Sequence, residues 1–192
     1  MEPTVKNIHE DIIRGCQVND RKAQFQVYKL YYKAMFNTAI RIVNDSAQAE
    51  DIMQEAFLEA FRQIGSYRAE SSFGTWLKRI VINKSIDEIR KTKEVISIDE
   101  VDVELADRDD DENYIQVLST KVEEIRKAIH ALPDSYRIIL SLYLLEGYDH
   151  EEISQILDIS YSLSRTRYSR ARKKLLEFIG AGEHSSSNSK LN

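Results

Sequence analysis

The sequence predicts an all-α protein, built as two small helical domains that a flexible acidic linker joins. Only six glycines and two prolines occur in 192 residues, and strong helix formers such as Leu, Ala, Glu and Lys are abundant. Apolar residues recur at steps of three and four along much of the chain, which is the period of a helix with one buried face. A strongly acidic segment interrupts this pattern near the middle of the chain.

The acidic segment, "EVISIDEVDVELADRDDDE" at 94–112, divides the chain. It holds ten acidic residues and one arginine, a net charge of −9, whereas the whole chain carries −5, which leaves +4 for the rest. Like charges repel, and such a segment buries too little apolar surface to offset its ordering entropy. We therefore expect a first domain at 1–93, a linker at 94–112, a second domain at 113–180 and a disordered tail at 181–192. The alternative is an irregular loop inside one domain.

Composition argues against membrane, metal and disulfide-stabilised classes. The apolar runs end far short of the roughly 20 residues that a spanning helix needs, and the N-terminus lacks the apolar core of a signal peptide. We expect a cytoplasmic protein without membrane insertion. Cys16 is the lone cysteine and the four histidines are scattered, so the sequence offers neither an internal disulfide nor metal-ligand spacing. Neither a metal nor another cofactor is expected.

Two amphipathic helices are predicted early in the first domain. The core stripe predicted for the first, from about residue 22 to 43, consists of Phe25, Tyr28, Tyr32, Met35, Phe36, Ala39 and Val43. Asp45 or Ser46 can cap the second helix, and Gly65 supplies a natural end. The core stripe predicted for the second helix consists of Met53, Phe57, Ala60, Phe61 and Ile64.

A third helix, from about residue 73 to 91, combines an apolar face with a polar one. The residues expected to pack inward are Trp76, Leu77, Ile80 and Val81. The polar face consists of Arg79, Asn83, Asp87 and Arg90, which are spaced four, four and three apart. A polar face of this regularity indicates a binding partner.

The second domain reads as a helix that ends at Pro133, an apolar helix that ends near Gly147, and two further helices. Asp149 and Glu152 form a capping pair for a short helix through Leu157. The tight turn "DIS" then leads into a basic helix over 161–179. A short helix, a turn and a basic helix are typical of a helix-turn-helix, and an ordinary αα-hairpin is the alternative.

The basic helix has three kinds of residue by position. The residues predicted to face the core are Ser164, Tyr168, Ala171, Leu175 and Phe178. The stripe predicted to read bases in the DNA major groove consists of Arg165, Thr166, Ser169 and Arg170. The flanking cations predicted to bind phosphates are Arg167, Arg172, Lys173 and Lys174. A merely solvated basic face is the alternative.

These motifs resemble bacterial sigma-70-type factors of the extracytoplasmic function group. "AEDIMQEAFLEAFRQI" with "YRAESSFGTWLKRIVINKSIDEIRK" is similar to region 2 of that family, and "LPDSYRIILSLYLLEGYDHEEISQILDIS" with "RTRYSRARKKL" is similar to region 4. The resemblance covers about 20–93 and 120–178. It implies a promoter-specificity subunit of RNA polymerase that is not itself an enzyme.

The resemblance also implies how a promoter is read. The region 4 helix would read the minus-35 element as duplex, and region 2 would recognise the minus-10 element as a melted strand with one base flipped out. The residues implied in minus-10 base recognition are Tyr67, Asn83 and Asp87. Those implied in holding phosphates there are Arg79, Lys84, Arg90 and Lys91.

The partners implied are core RNA polymerase, promoter DNA and an anti-sigma factor. Region 2 would dock on the clamp helices of the largest polymerase subunit through Asp51, Gln54 and Glu55, for which a solvated acidic face is the alternative. Region 4 would rest on the flap of the second-largest subunit. The acidic linker would run toward the active-site and RNA-exit channel, where its charge mimics nucleic acid.

The chain departs from the family pattern at the helix-turn-helix. Asp158 replaces the usual turn glycine, which is acceptable because aspartate enters the left-handed region readily. Ser164 stands where the family favours a buried valine, with Leu163 beside it. Either the recognition helix starts in a rotated register, or Leu163 contacts a thymine methyl.

Two other classes of protein compete with this interpretation. A regulator that binds duplex DNA by the helix-turn-helix alone would have no use for a region 2 motif. A helical enzyme is disfavoured because "HEEIS" lacks the second histidine of a zinc-protease motif and no glycine-rich phosphate loop occurs.

Overall fold

Helices account for most of both parts of the chain that the structure describes, 9–95 and 122–187, and neither part contains a β-strand. The structure is a computed structural model. It divides into two compact units, Met1–Ser97 and Ile98–Asn192, and the division falls inside the predicted linker. The linker residues from 96 onward and the tail from 188 lie outside the described residues. Within the described parts the all-α prediction is confirmed.

Unit 1 consists of four α-helices and one short 3₁₀ turn within its described part. They are α1 (Glu10–Gln17), α2 (Arg21–Val43), α3 (Ser46–Arg62), the 3₁₀ turn Ile64–Ser66, and α4 (Phe73–Val95). Helices α2, α3 and α4 pack against one another, and α1 packs against α2. Their shared core is apolar, so burial of these faces supplies the main stabilisation.

Side-chain caps explain where α2 and α3 begin. The carboxylate of Asp20 accepts a hydrogen bond from the backbone N–H of Lys22, and that of Asp45 accepts one from Gln48, both at 2.8 Å. Each bond satisfies a donor that the first turn of a helix leaves open. The cap predicted at Asp45 is confirmed. Asn44 ends α2 in the left-handed conformation, with φ of 60°.

The stripe predicted for α2 is partly wrong. Met35, Ala39 and Val43 are buried, but Phe25 is 57% exposed and Tyr32 is 37% exposed. In the first half of the helix the buried residues are instead Ala23 and Val27. Apolar side chains cover more than one stripe of α2, and the positions of its neighbouring helices decide which stripe becomes core.

Unit 2 contains four α-helices and a π-helical turn in its described part. They are α5 (Val122–Ala131), α6 (Asp134–Leu140), the π-helical turn Ser141–Leu145, α7 (His150–Leu157) and α8 (Tyr161–Ser187). The predicted capping pair is confirmed: Asp149 accepts from the N–H of Glu152, and the Glu152 carboxylate accepts from the N–H of Asp149.

Two helices run further than the sequence suggested. Helix α4 continues to Val95, into the predicted linker, and α8 continues to Ser187, into the tail at 181–192, whose disorder stays a prediction. Extending an existing helix adds one backbone hydrogen bond per residue ordered, which is far easier than starting a new one. Phe178, predicted to face the core, is 39% exposed, so its core position was predicted wrongly.

Candidate nucleic-acid interface

The turn between α7 and α8 has the geometry of a helix-turn-helix. Asp158 adopts the left-handed conformation, with φ of 55°, as expected for an aspartate in place of glycine. The Ser160 hydroxyl oxygen then accepts a hydrogen bond from the backbone N–H of Leu163, at 3.1 Å, and caps the start of α8. These local contacts set the point at which α8 begins.

Burial determines the rotation of α8. Ser164, Ala171 and Leu175 have no exposed surface. Ser164 therefore faces the core as predicted, and the rotated-register alternative is wrong. Leu163 is half-buried beside it, and its contact with a thymine methyl stays a prediction.

The predicted base-reading stripe lies on the solvent side of α8. Arg165 is exposed, and Thr166, Ser169 and Arg170 are each half-buried. The Thr166 hydroxyl donates to the carbonyl of Ser162 at 3.0 Å, which leaves its oxygen available as an acceptor. The stripe therefore offers two guanidinium groups and two hydroxyls along about one and a half helical turns.

The predicted phosphate contacts flank this stripe. Lys173 and Lys174 are exposed, while Arg167 and Arg172 are half-buried. Lys174 pairs with Glu177 at 3.0 Å and lies 5.8 Å from the centroid of the exposed Phe178 ring. A pair on the surface is readily exchanged for a phosphate, because exposed ion pairs contribute at most about 1 kcal/mol.

A polar pair that the sequence did not predict lies behind the stripe. The Ser164 hydroxyl lies 3.0 Å from Nδ1 of His150, which is half-buried at the start of α7. The Tyr143 and Tyr168 rings pack on the imidazole, with centroids 4.8 and 5.3 Å away. Burial lowers the pKa of His150, and the positive charge of Arg165 lowers it further, whereas Asp149 acts in the opposite direction.

Lowering the pH should destabilise unit 2 through His150. Its folded pKa lies below the ordinary value of 6.5, so the unfolded chain takes up the proton first as the pH falls. The contribution of His150 to the free energy of unfolding is constant above that value and declines below it. We expect the unfolding temperature, relative to that of His150→Phe, to stay constant above about pH 6.5 and to drop as the pH falls below it. Thermal unfolding followed by circular dichroism measures it, and an identical pH dependence in both proteins would contradict this role.

The predicted polar face of α4 is the corresponding feature of unit 1. Arg79, Asn83, Asp87 and Arg90 are all exposed, and Leu77 and Val81 on the opposite side are completely buried. Asp87 and Arg90 lie 3.7 Å apart as an exposed i, i+3 pair. The face therefore offers an amide, a carboxylate and guanidinium groups to a ligand in solvent.

Tyr67 does not lie on that face. It is 8% exposed, and its hydroxyl donates to the carbonyl of Ser71 at 2.8 Å. Its ring packs against Phe73 and Trp76, with centroids 5.5 and 5.4 Å away. In this conformation Tyr67 closes the loop before α4, and a base would stack on it only after the ring had moved. Its role as a pocket wall stays a prediction.

Lys84, predicted to bind phosphate, is paired with carboxylates of α3. Its Nζ lies 2.9 Å from Glu59 and 3.5 Å from Glu55. The hydrogen bond to Glu59 is the largest cause of the raised pKa of Lys84, so this side chain stays charged. To hold a phosphate, Lys84 has to exchange these carboxylates for it.

Replacing Glu59 by glutamine should therefore strengthen DNA binding. A half-exposed ion pair is worth about 0.2–1 kcal/mol, so releasing Lys84 should raise affinity for single-stranded DNA up to about fivefold. Fluorescence anisotropy with a labelled oligonucleotide measures the effect. Lys84→Gln is the control background: once Lys84 is gone, Glu59→Gln should raise the affinity little. An equal increase with and without Lys84 would show only that net charge matters.

The residues predicted to contact a protein partner share one exposed stripe of α3. Asp51, Gln54 and Glu55 are all exposed. Leu58, which the sequence analysis did not name, follows on the same stripe and is 57% exposed. The signal available in the sequence was its position, four residues beyond Gln54 and three beyond Glu55. The acidic stripe thus includes an unshielded apolar side chain.

Within the described residues, no group of three His, Cys, Asp or Glu side chains could hold a metal ion. None of the described helices is long and apolar enough to cross a membrane. Cys16 is completely buried, and burial raises the pKa of its thiol, so it is a poor nucleophile.

The base-reading stripe of α8 and the polar face of α4 both lie in segments that match known protein families. Residues 27–95 match the family model for sigma-70 region 2, and residues 122–175 match that for sigma-70 region 4. The chain is 30% identical over 187 residues to the ECF RNA polymerase sigma factor SigW of Bacillus subtilis, which covers 91% of this chain and 96% of that protein.

The chain belongs to the extracytoplasmic function group of the sigma-70 family. As a sigma factor, it binds core RNA polymerase and directs transcription initiation at promoters. A second relative, the RNA polymerase sigma-H factor of Pseudomonas aeruginosa, is 29% identical to this sigma factor over 177 residues. The aligned region covers 86% of this sigma factor and 91% of the relative.

Solved structures agree with this assignment. The sigma factor RpoE from Bartonella quintana, in complex with the anti-sigma factor NepR, has a TM-score of 0.54 and 25% identity, covering 81% of this sigma factor and 95% of that chain. CnrH, in complex with the cytosolic domain of CnrY, has a TM-score of 0.52 at 18% identity, covering 88% and 96%, and supports the fold.

Proposed function

We propose that this sigma factor reads a promoter at two places, the minus-35 element as duplex with α8 and the minus-10 element as a melted strand with α4. The observation that carries the proposal is the rotation of α8. Because Ser164, Ala171 and Leu175 are buried, the basic stripe of the helix faces solvent. An exposed basic helix after a helix-turn-helix turn has the shape and charge for the major groove.

Each side chain of the α8 stripe has a chemical role in this proposal. Arg165 and Arg170 can each donate two hydrogen bonds to O6 and N7 of guanine. The Thr166 hydroxyl can accept at a neighbouring base edge, and that of Ser169 can donate or accept. Arg167, Arg172, Lys173 and Lys174 contribute phosphate contacts, which set affinity and its salt dependence.

The α4 face is proposed to bind an unpaired base of the minus-10 element. The Asn83 amide can donate and accept at a base edge that is exposed only after the strands separate. Asp87 follows one turn later and can accept from an exocyclic amine. Arg79, Arg90 and Lys91 hold neighbouring phosphates, with Lys84 joining them after leaving Glu59. Tyr67 supplies the wall of the base pocket once its ring leaves the cluster with Phe73 and Trp76.

The exposed stripe of α3 is proposed to dock on the clamp helices of the largest polymerase subunit. Asp51, Gln54 and Glu55 supply charge and hydrogen bonds, and Leu58 supplies apolar surface that gains by leaving water. Unit 2 is proposed to rest on the flap of the second-largest subunit. The acidic linker is proposed to run toward the active-site and RNA-exit channel, which attracts negative charge.

The sigma factor is proposed to have no catalytic activity of its own and to act in the cytoplasm, where the polymerase is. An anti-sigma factor is proposed as its inhibitory partner. RpoE from Bartonella quintana supports this step, since it was obtained in complex with the anti-sigma factor NepR.

Purified full-length protein added to core RNA polymerase should start transcripts at a defined subset of genomic promoters. Sequencing of the transcript 5′ ends tests this and yields both promoter elements. Core polymerase alone is the control. Duplex binding without any complex with polymerase would instead indicate a regulator that acts by its helix-turn-helix alone.

A further inference from the structure

The pair His150–Ser164 joins the two helices of the helix-turn-helix, and no base contact proposed above uses it. His150 is the first residue of α7, and Ser164 is the fourth residue of α8. Ser164 is completely buried, with its hydroxyl 3.0 Å from the imidazole. A buried hydroxyl needs a hydrogen-bond partner, so the position of His150 restricts where Ser164 can lie.

Three tyrosines restrict the orientation of the imidazole. Tyr143, from the π-helical turn, stacks on the ring with an interplanar angle of 25°. Tyr168 and Tyr161, both from α8, meet it edge-on at angles of 69° and 89°. The ring is therefore held between two elements, and Nδ1 has a defined direction toward Ser164.

We propose that the His150–Ser164 pair is a positioning device that sets the rotation of α8 and thereby determines which side chains reach the minus-35 bases. The inference rests on the function proposed for α8. Successive residues of an α-helix are separated by about 100° around its axis. Rotating α8 by even part of that angle would therefore redirect the stripe. Arg165 directly follows Ser164, and Ser169 directly follows Tyr168, so two base-reading residues lie next to residues that His150 contacts.

The geometry separates this role from ordinary core packing. Ala171 and Leu175 bury the same side of α8 through apolar contact, which is non-directional and tolerates small rotations. A hydrogen bond constrains distance and angle together. The pair therefore adds directional restraint at the end of α8 that carries the base-reading stripe.

The test uses holoenzyme made from core polymerase and the full chain. The DNA is a library of promoter duplexes with a randomised minus-35 element upstream of one fixed minus-10 element. Four variants are compared: Ser164→Ala, His150→Phe, the double variant and Arg170→Ala. His150→Phe keeps an aromatic ring among the tyrosines but removes Nδ1. The readouts are the enrichment of selected sequences and the affinity for an unrelated duplex.

Ser164→Ala and His150→Phe should each lower the enrichment of the wild-type minus-35 sequence by about tenfold. The double variant should lower it no further, because each single substitution already removes the one contact that the two residues share. Affinity for the unrelated duplex should stay within about twofold, since phosphate contacts set it. Unchanged enrichment, additive losses in the double variant, or equal losses on every duplex would each overturn the proposal.

Arg170→Ala separates the two levels of inference. If it loses enrichment while the pair variants do not, the positioning role alone is wrong. If neither the wild type nor any variant selects a sequence, the function proposed for α8 fails and the positioning role fails with it. Should Ser164→Ala unfold, His150→Phe decides the outcome, because it retains the ring volume and stacking.

Discussion

Replacing Arg170 by alanine should weaken binding to the minus-35 duplex by about 5- to 150-fold. The guanidinium is expected to make two hydrogen bonds to guanine, and losing such a bidentate contact costs about 1–3 kcal/mol. The loss should be confined to sequences with that guanine, so the variant should relax specificity at one position. Binding of holoenzyme to promoter duplexes that differ at single positions measures both effects.

Lys173→Ala is the matched control on the same helix. Lys173 is exposed and is assigned to a phosphate, so its loss should weaken binding to all sequences alike and reduce the salt slope by about one. A uniform loss in Arg170→Ala would place Arg170 on the backbone rather than on a base.

Replacing Asn83 by alanine should impair promoter opening far more than initial duplex binding. The amide is assigned to a base edge that becomes available only when the strands separate, so its contribution belongs to the open complex. Loss of one such hydrogen bond costs about 1 kcal/mol, and up to about 3 kcal/mol where a partner is left unsatisfied, which corresponds to about a 5- to 150-fold lower opening equilibrium. Permanganate reactivity of unpaired thymines measures opening, and a filter-binding assay measures the duplex complex.

Asn37→Ala provides the comparison. Asn37 is an exposed asparagine of α2, outside the proposed contacts, and its replacement should leave both steps unchanged. Equal impairment of binding and opening in Asn83→Ala would exclude a role that is specific to the melted strand.

Much of the local structure follows from the sequence because caps and turns are short-range. Asp45, Asp149 and Asp158 all behave as predicted, since each acts on backbone groups within a few residues. The prediction for α2 was less successful. Phe25 and Tyr32 fit an apolar stripe by spacing, yet they are exposed, because burial depends on neighbouring helices that are distant in the chain.

The candidate sites show the same division. The outward stripe of α8 and the polar face of α4 were accessible from helical periodicity, which is a local property. The contacts of Lys84 with Glu59 and of Ser164 with His150 link different helices, 25 and 14 residues apart, and no periodicity reveals them. The family resemblance implies that Tyr67 recognises a minus-10 base, whereas in the structure its ring packs in an aromatic cluster with Phe73 and Trp76.

The sequence by itself determined the helical fold class, the division by an acidic segment, the caps and the family. These features depend on composition, local backbone chemistry and motif order. Only the tertiary structure decided which face of each helix is buried, that Lys84 is held by carboxylates, and that Ser164 is fastened to His150. Such outcomes depend on side chains that meet only after the helices pack, where directional hydrogen bonds and burial select one arrangement among several that the sequence pattern allows.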